Sequence, residues 1–216
     1  YGTHFMYSHD AMVRNSRLED NVVGIFVMYS ARLRAEHNVL AGARGPAGMG
    51  IGFKESDGVR VTDNWIVANT SGAYLDRTPR DPSAPVTFDH NVFALNDVGV
   101  RFLPSEQGIS FTKNDFHPNV EVAVVEGGGD ALGATFDGNH WTEYEGYDLD
   151  GDGVGDVPFE LKELSSQLTD AHPSLRFFQG TGALAAFDAI ARAVPVLSSR
   201  ALLVDRHPSV HATRPR

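Results

Sequence analysis

A chain of 216 residues, 42% of them hydrophobic, can build one principal core with an appendage but not two large independent domains. Its 28 acids against 18 bases leave a net charge of −10, which repels polyanions and excludes nucleic acid as a general partner. There is no cysteine, so disulfides, thiolate sites and thiol nucleophiles are excluded, and Met, His and carboxylate are the metal ligands left.

Tyr1 opens what reads as a strand, without an initiator Met or a leader, so an N-terminal part is expected to precede it. No apolar run approaches the roughly 20 residues that cross a bilayer, and no transmembrane segment is expected. The first strand, in "THFMYSHD", aligns with "IFVMYS" further on. That alignment puts Met6 over Met28 on adjacent coils, both pointing outward, with His4 two residues before Met6 on the same face. Strands about 4.8 Å apart match the span of two metal–sulfur bonds of about 2.3 Å. His4, Met6 and Met28 are therefore a candidate Cu(I) site, to which His9 and His37 could add nitrogen donors. The alternative is that the methionines cover apolar surface beneath a neighbouring coil or a partner.

The alignment belongs to an internal repeat of roughly 22–27 residues, seen in "SRLEDNVVGIFVMYS", "NVLAGA", "NWIVANTSGAYLD", "NVFALNDVGVRFL" and "NDFHPNVEVAVVE". Two copies are complete, Asn64/Ile66/Asn69/Gly72 and Asn91/Phe93/Asn96/Gly99. Others have decayed: Asn38/Leu40 lacks the second Asn, Asn114/Phe116/Asn119 lacks the Gly, and Ser16 stands where the first coil wants Asn. Period-2 alternation sends the Asn column inside beside the apolar column, where stacked amides satisfy one another. After each Gly the same parity buries Ile25/Val27, Ile51/Phe53, Ala73/Leu75 and Val100/Phe102. Short strands, β-branched residues and Gly-centred turns predict an all-β fold, a right-handed parallel β-helix over residues 1–142. Two insertions, "ARGPAG" at 43–48 and "DRTPRDPSAP" at 76–85, are expected to leave the solenoid as loops.

Residues 143–160 form an acidic segment with seven carboxylates and no base. Within it Asp148, Asp150 and Asp152 take loop positions 1, 3 and 5, Gly153 position 6, the Val154 carbonyl position 7 and Asp156 position 9. That is the spacing of a calcium loop, in which alternating carboxylates turn toward one hard cation. Position 12 is Phe159 rather than Glu, and the entry from "HWTEYEGY" does not read as a helix, so this is not an EF-hand. The alternative is an exposed acidic turn without a fixed ion.

From 161 to 216 the period changes, with stripes Leu161/Leu164/Leu168 and Leu184/Phe187/Ala191/Val194 that predict a short helical tail capping the solenoid or docking on a partner. Catalysis is not expected. Parallel β-helices that act on acidic polysaccharides, the uronate epimerases and lyases, need a base, an acid and a neutralising cation in one groove. Here Lys54, Asp76 and Arg101 fall on different coils, and "EGGGD" at 126–130 lacks the spacing and the lysine of a phosphate loop.

In this order, "YGTHFMYSHD", "GIFVMYS", "RGPAGMGIGFKE", "VEGGG", "GNHW", "YEGYDLDGDGVGD" and "LLVDRHPSV" resemble the NosD family, periplasmic maturation proteins of nitrous-oxide reductase. The resemblance implies a β-helix in the periplasm of a denitrifying bacterium. It further implies work beside the membrane subunit of an ABC transporter and a copper chaperone, supplying copper or sulfur for the reductase's copper centres. It assigns no catalytic residue and leaves the use of ATP to the transporter.

Overall fold

The computed structural model describes residues 1–103, 107–127, 129–162, 174, 178, 186 and 201–213. Each coil runs through three short strands. The first has β1 (Thr3–Met6), β2 (Met12–Arg14) and β3 (Arg17–Glu19); the second β4 (Val23–Met28), β5 (Arg34–Glu36) and β6 (Val39–Ala41). Then follow β7 (Met49–Lys54), β8 (Arg60–Thr62), β9 (Trp65–Val67), β10 (Ser71–Asp76), β11 (Val86–Asp89) and β12 (Val92–Ala94). The last coils contain β13 (Val98–Phe102), β14 (Ile109–Thr112), β15 (Asp115–Phe116), β16 (Glu121–Val125), β17 (Thr135–Asp137) and β18 (His140–Trp141). Like strands stack in parallel into three sheets, and the second sheet gains β20 (Ala201–Asp205) and β19 (Phe159–Lys162) at its far end. The fold is the expected all-β parallel solenoid.

The core follows the predicted parity. Ile25, Val27, Ile51, Phe53, Ala73, Leu75, Val100 and Phe102 are buried. Two aromatic columns fill the later coils: Phe88, Phe111 and Phe136 at centroid spacings of 4.6 and 4.9 Å, and Phe93, Phe116, Trp141 and Phe159 at 5.0, 4.3 and 4.5 Å. Each such side chain removed from water contributes roughly 2–3 kcal/mol.

The repeat's asparagines form polarised ladders. In the first ladder the side-chain amide and backbone N–H of Asn38 both donate to Asn64 Oδ1, those of Asn64 to Asn91, those of Asn91 to Asn114, and those of Asn114 to Asn139. Asn139 donates in the same two ways to Asp205 Oδ2, at 3.0 and 2.9 Å. A shorter ladder runs from Asn69 through Asn96 to Asn119. A third, of hydroxyls, has Ser8, Ser30 and Ser56 donating their backbone N–H to Ser30, Ser56 and Thr78.

The repeat glycine has a packing reason. A Cβ on Gly24 would lie 2.4 Å from the Gly50 carbonyl oxygen, and one on Gly72 2.5 Å from that of Gly99, so only glycine lets the next coil close down. Val122 stands at this position in the coil of β16, the last strand of its sheet among the described residues.

The two helical stripes of the predicted tail fall mostly outside the described residues. Among the described residues of the tail, 161–162 and 201–205 are strand and 186 is helical. Leu161 belongs to β19 and is buried, and β20 lies between β17 and β19, parallel to the first and antiparallel to the second. Alternating burial along "FELK" fits a strand better than a helix, because Phe159 and Leu161 share the face that meets the core. The insertions are pinned to the solenoid: Arg44 pairs with Asp97 at 2.8 Å, and Arg80 with Asp57 at 2.9 Å.

Candidate functional site

The first candidate is the outer face of the first sheet near Tyr1. β1 and β4 pair with His4 opposite Phe26 and Met6 opposite Met28, the register read from the sequence. Met6 is exposed and Met28 half-buried. The rings of Tyr1, His4 and Phe26 cluster beside the thioether rung, with centroids 5.0 Å apart for Tyr1 and His4, 5.6 Å for His4 and Phe26, and 6.0 Å for Tyr1 and Phe26. A parallel stack of Tyr7 on Tyr29, at 5.2 Å, borders the other side.

Sequence parity missed Met49. It starts β7 in register with the buried Val23, yet its Sδ lies 2.9 Å from where a Gly52 Cβ would stand, beside the Phe26 ring. The signal was Gly52 itself, an outward position without a side chain, which leaves space for a neighbouring thioether. His9 pairs in a bridge with Ala31, while His37 lies on another edge, 3.9 Å from Asp63, and does not join the rung. Beyond Met28 the column continues to Lys54, whose ammonium is 3.5 Å from Asp76. Arg101, further along this face, is held by Glu126 and by the Ser71 hydroxyl.

The second candidate is the acidic loop. Ligand oxygens of Asp148, Asp150 and Asp152 all lie within 4.8 Å of one another. Asp148 accepts the N–H of Gly151 at 2.7 Å and of Gly153 at 2.8 Å, and Asp152 accepts that of Val154 at 2.7 Å. The Gly153 N–H, helped by that of Gly151, holds the Asp148 carboxyl below the usual carboxylate range. Asp156 stands apart from this trio: it accepts the Leu149 N–H at 2.7 Å and closes the loop, with its own N–H on the Tyr147 carbonyl. Position 9 of calcium loops often reaches the ion through water. Phe159, at position 12, stacks on Trp141 in the core, which accounts for the missing glutamate.

The loop is joined to the end of the solenoid. Gly155 donates to the Pro208 carbonyl at 2.8 Å and Val210 to that of Gly153 at 3.1 Å, with Val154 opposite Ser209 in an antiparallel bridge. Ser209 in turn adds a parallel rung to His140. Acidic loop, returning tail and last coil therefore form one hydrogen-bonded unit.

The model of the family described as "Periplasmic copper-binding protein (NosD)" matches residues 1–146. A protein of Stutzerimonas stutzeri named "Probable ABC transporter binding protein NosD" is 25% identical over 123 residues, covering 56% of this chain and 28% of that protein. One of the same name from Pseudomonas aeruginosa is 29% identical over 129 residues, covering 58% and 30%. The matches thus span less than a third of those relatives' lengths. The family match takes in the whole thioether rung and most of the coils, and the chain belongs to the NosD family.

Proposed function

We propose that this chain is a non-catalytic part of a periplasmic accessory protein in the maturation of nitrous-oxide reductase. In this reading it takes Cu(I) as cargo on Met6 and Met28, with His4 beside them, and passes it toward the reductase's copper centres. The observation that carries the reading is the in-register stacking of Met6 on Met28 at an accessible outer face, in a family described as copper-binding. Two thioethers one rung apart, with an imidazole near, are the softest ligand set available in a chain without cysteine. The names of the relatives support an ABC transporter as partner; its membrane subunit, a copper chaperone and the reductase complete the set of partners in this proposal.

A non-catalytic role is favoured over a polysaccharide-acting one because the two cations on the outer face of the first sheet are already paired, Lys54 with Asp76 and Arg101 with Glu126. A groove that cuts or epimerises uronates keeps such a cation for the substrate. For the acidic loop we propose Ca²⁺, held by Asp148, Asp150, Asp152, the Val154 carbonyl and Asp156, with a structural role at the junction of loop, tail and last coil.

The deciding experiment introduces Met6→Leu with Met28→Leu into the full-length protein in a denitrifying host and measures copper in the purified reductase. Copper-poor reductase is expected. Fully loaded reductase would remove copper handling from this rung and leave the chain as a scaffold for other copper or sulfur carriers.

A further inference from the structure

Between the second and third sheets each coil turns through one residue at positive φ, and in successive coils that residue is His37 (54°), Asp63 (58°) and His90 (52°). Their preceding residues, Glu36, Thr62 and Asp89, are aligned across β5, β8 and β11. The turns are in register too, since His37 donates its N–H to the Thr62 carbonyl and Asp63 to that of Asp89. One edge of the solenoid therefore carries a carboxylate with an imidazole on the rung to either side, at about 4.8 Å per rung.

The side chains are already drawn together in pairs. His37 Nδ1 lies 3.9 Å from Asp63 Oδ2. His90 Nδ1 lies 2.8 Å from Asp89 Oδ2, and the other oxygen of Asp89 accepts the Thr112 hydroxyl at 2.8 Å. A carboxylate on Nδ1 fixes the tautomer that keeps a lone pair on Nε2, the arrangement that orients histidine ligands of metal ions. The four side chains are from 31 to 60% exposed, so an ion reaches them from solvent.

We propose that His37, Asp63 and His90, with Asp89 positioning His90, bind a divalent transition-metal ion of borderline softness. Two imidazoles and a carboxylate suit Zn(II) or Cu(II), whereas Cu(I) prefers sulfur and Ca²⁺ prefers oxygen alone. Bonds of about 2.0–2.2 Å place neighbouring ligand atoms roughly 3.4 Å apart, less than one rung, which turning the exposed imidazoles toward Asp63 supplies. Among the described residues the Asp148 trio is the one set of three with its ligand atoms already within 4.8 Å, so this edge closes as the ion binds. The site is separate from the Met6/Met28 rung and does not depend on the copper reading.

The test titrates the purified chain with Zn(II) against a chromophoric chelator, beside His37→Asn and the His37→Asn/His90→Asn double variant. Asparagine tolerates positive φ and is a poor zinc ligand. One equivalent of Zn(II) is expected, weakened at least about tenfold in the single variant and further in the double. X-ray absorption of the zinc-loaded unsubstituted chain should show two imidazole nitrogens with oxygen and no sulfur, and an all-oxygen shell, as the acidic loop would give, overturns the proposal even where a variant folds poorly. Equal affinity in the double variant, sulfur in the zinc shell, or equal loss on Asp150→Asn would overturn the proposal.

Discussion

At positive φ an L side chain costs energy that the surroundings must offset, and Leu95, at φ 57° and 63% exposed, has little packing in return. Leu95→Gly is expected to stabilise the chain by about 0.5–1 kcal/mol, because relief of backbone strain exceeds the greater chain entropy of unfolded glycine. The urea midpoint should rise at constant slope; a lower midpoint would show that Leu95 packs more than its exposure indicates. Asp148 makes the acidic loop sensitive to pH. Its folded pKa is depressed, so its contribution is complete above the unfolded value of about 3.9 and is lost as pH falls through the lower folded value. Added Ca²⁺ should raise the unfolding temperature at pH 7, and the rise should vanish in Asp150→Asn; an equal rise in both proteins would place the ion elsewhere.

The polarised Asn ladder explains why one of its members is an aspartate. Each Asn accepts from the coil before and donates its amide to the coil after, so the last member needs acceptors alone. Asp205 supplies them: Oδ2 takes Asn139 twice and the Trp141 indole N–H, and Oδ1 takes the His207 N–H. Asp205→Asn puts an amide donor where only acceptors fit and should cost roughly 1–3 kcal/mol. Asn91→Ala, which strips the acceptor from both Asn64 donors, should cost about 3 kcal/mol. Equilibrium denaturation measures both, and a neutral Asp205→Asn would mean that the tail does not seal the ladder. Sequence alone shows the Asn columns because they recur at one offset from an apolar residue. It hides Asp205, since a gap of 66 residues separates it from Asn139 and no repeat period leads there. The hydroxyl ladder was legible in principle, because Ser8, Ser30, Ser56 and Thr78 fall at one offset, two residues after Met6, Met28, Lys54 and Asp76, but a serine after a strand is equally at home in an ordinary turn.

For the whole molecule, the coils, their inward and outward faces and the pairing of Met6 with Met28 were all readable, because a solenoid turns sequence period directly into spatial register. The returning tail was not, because β20 pairs with strands far away in sequence, and "ALLVD" carries no sign of its partner. Met49 escaped for the opposite reason: a flexible thioether left its expected face for the space above Gly52. The most direct measurement is a Cu(I) titration of the purified chain under a competing chelator, beside the Met6→Leu/Met28→Leu variant. One equivalent bound by the parent and lost in the variant is the predicted result; no binding, or equal binding by both, would contradict a copper role for this rung.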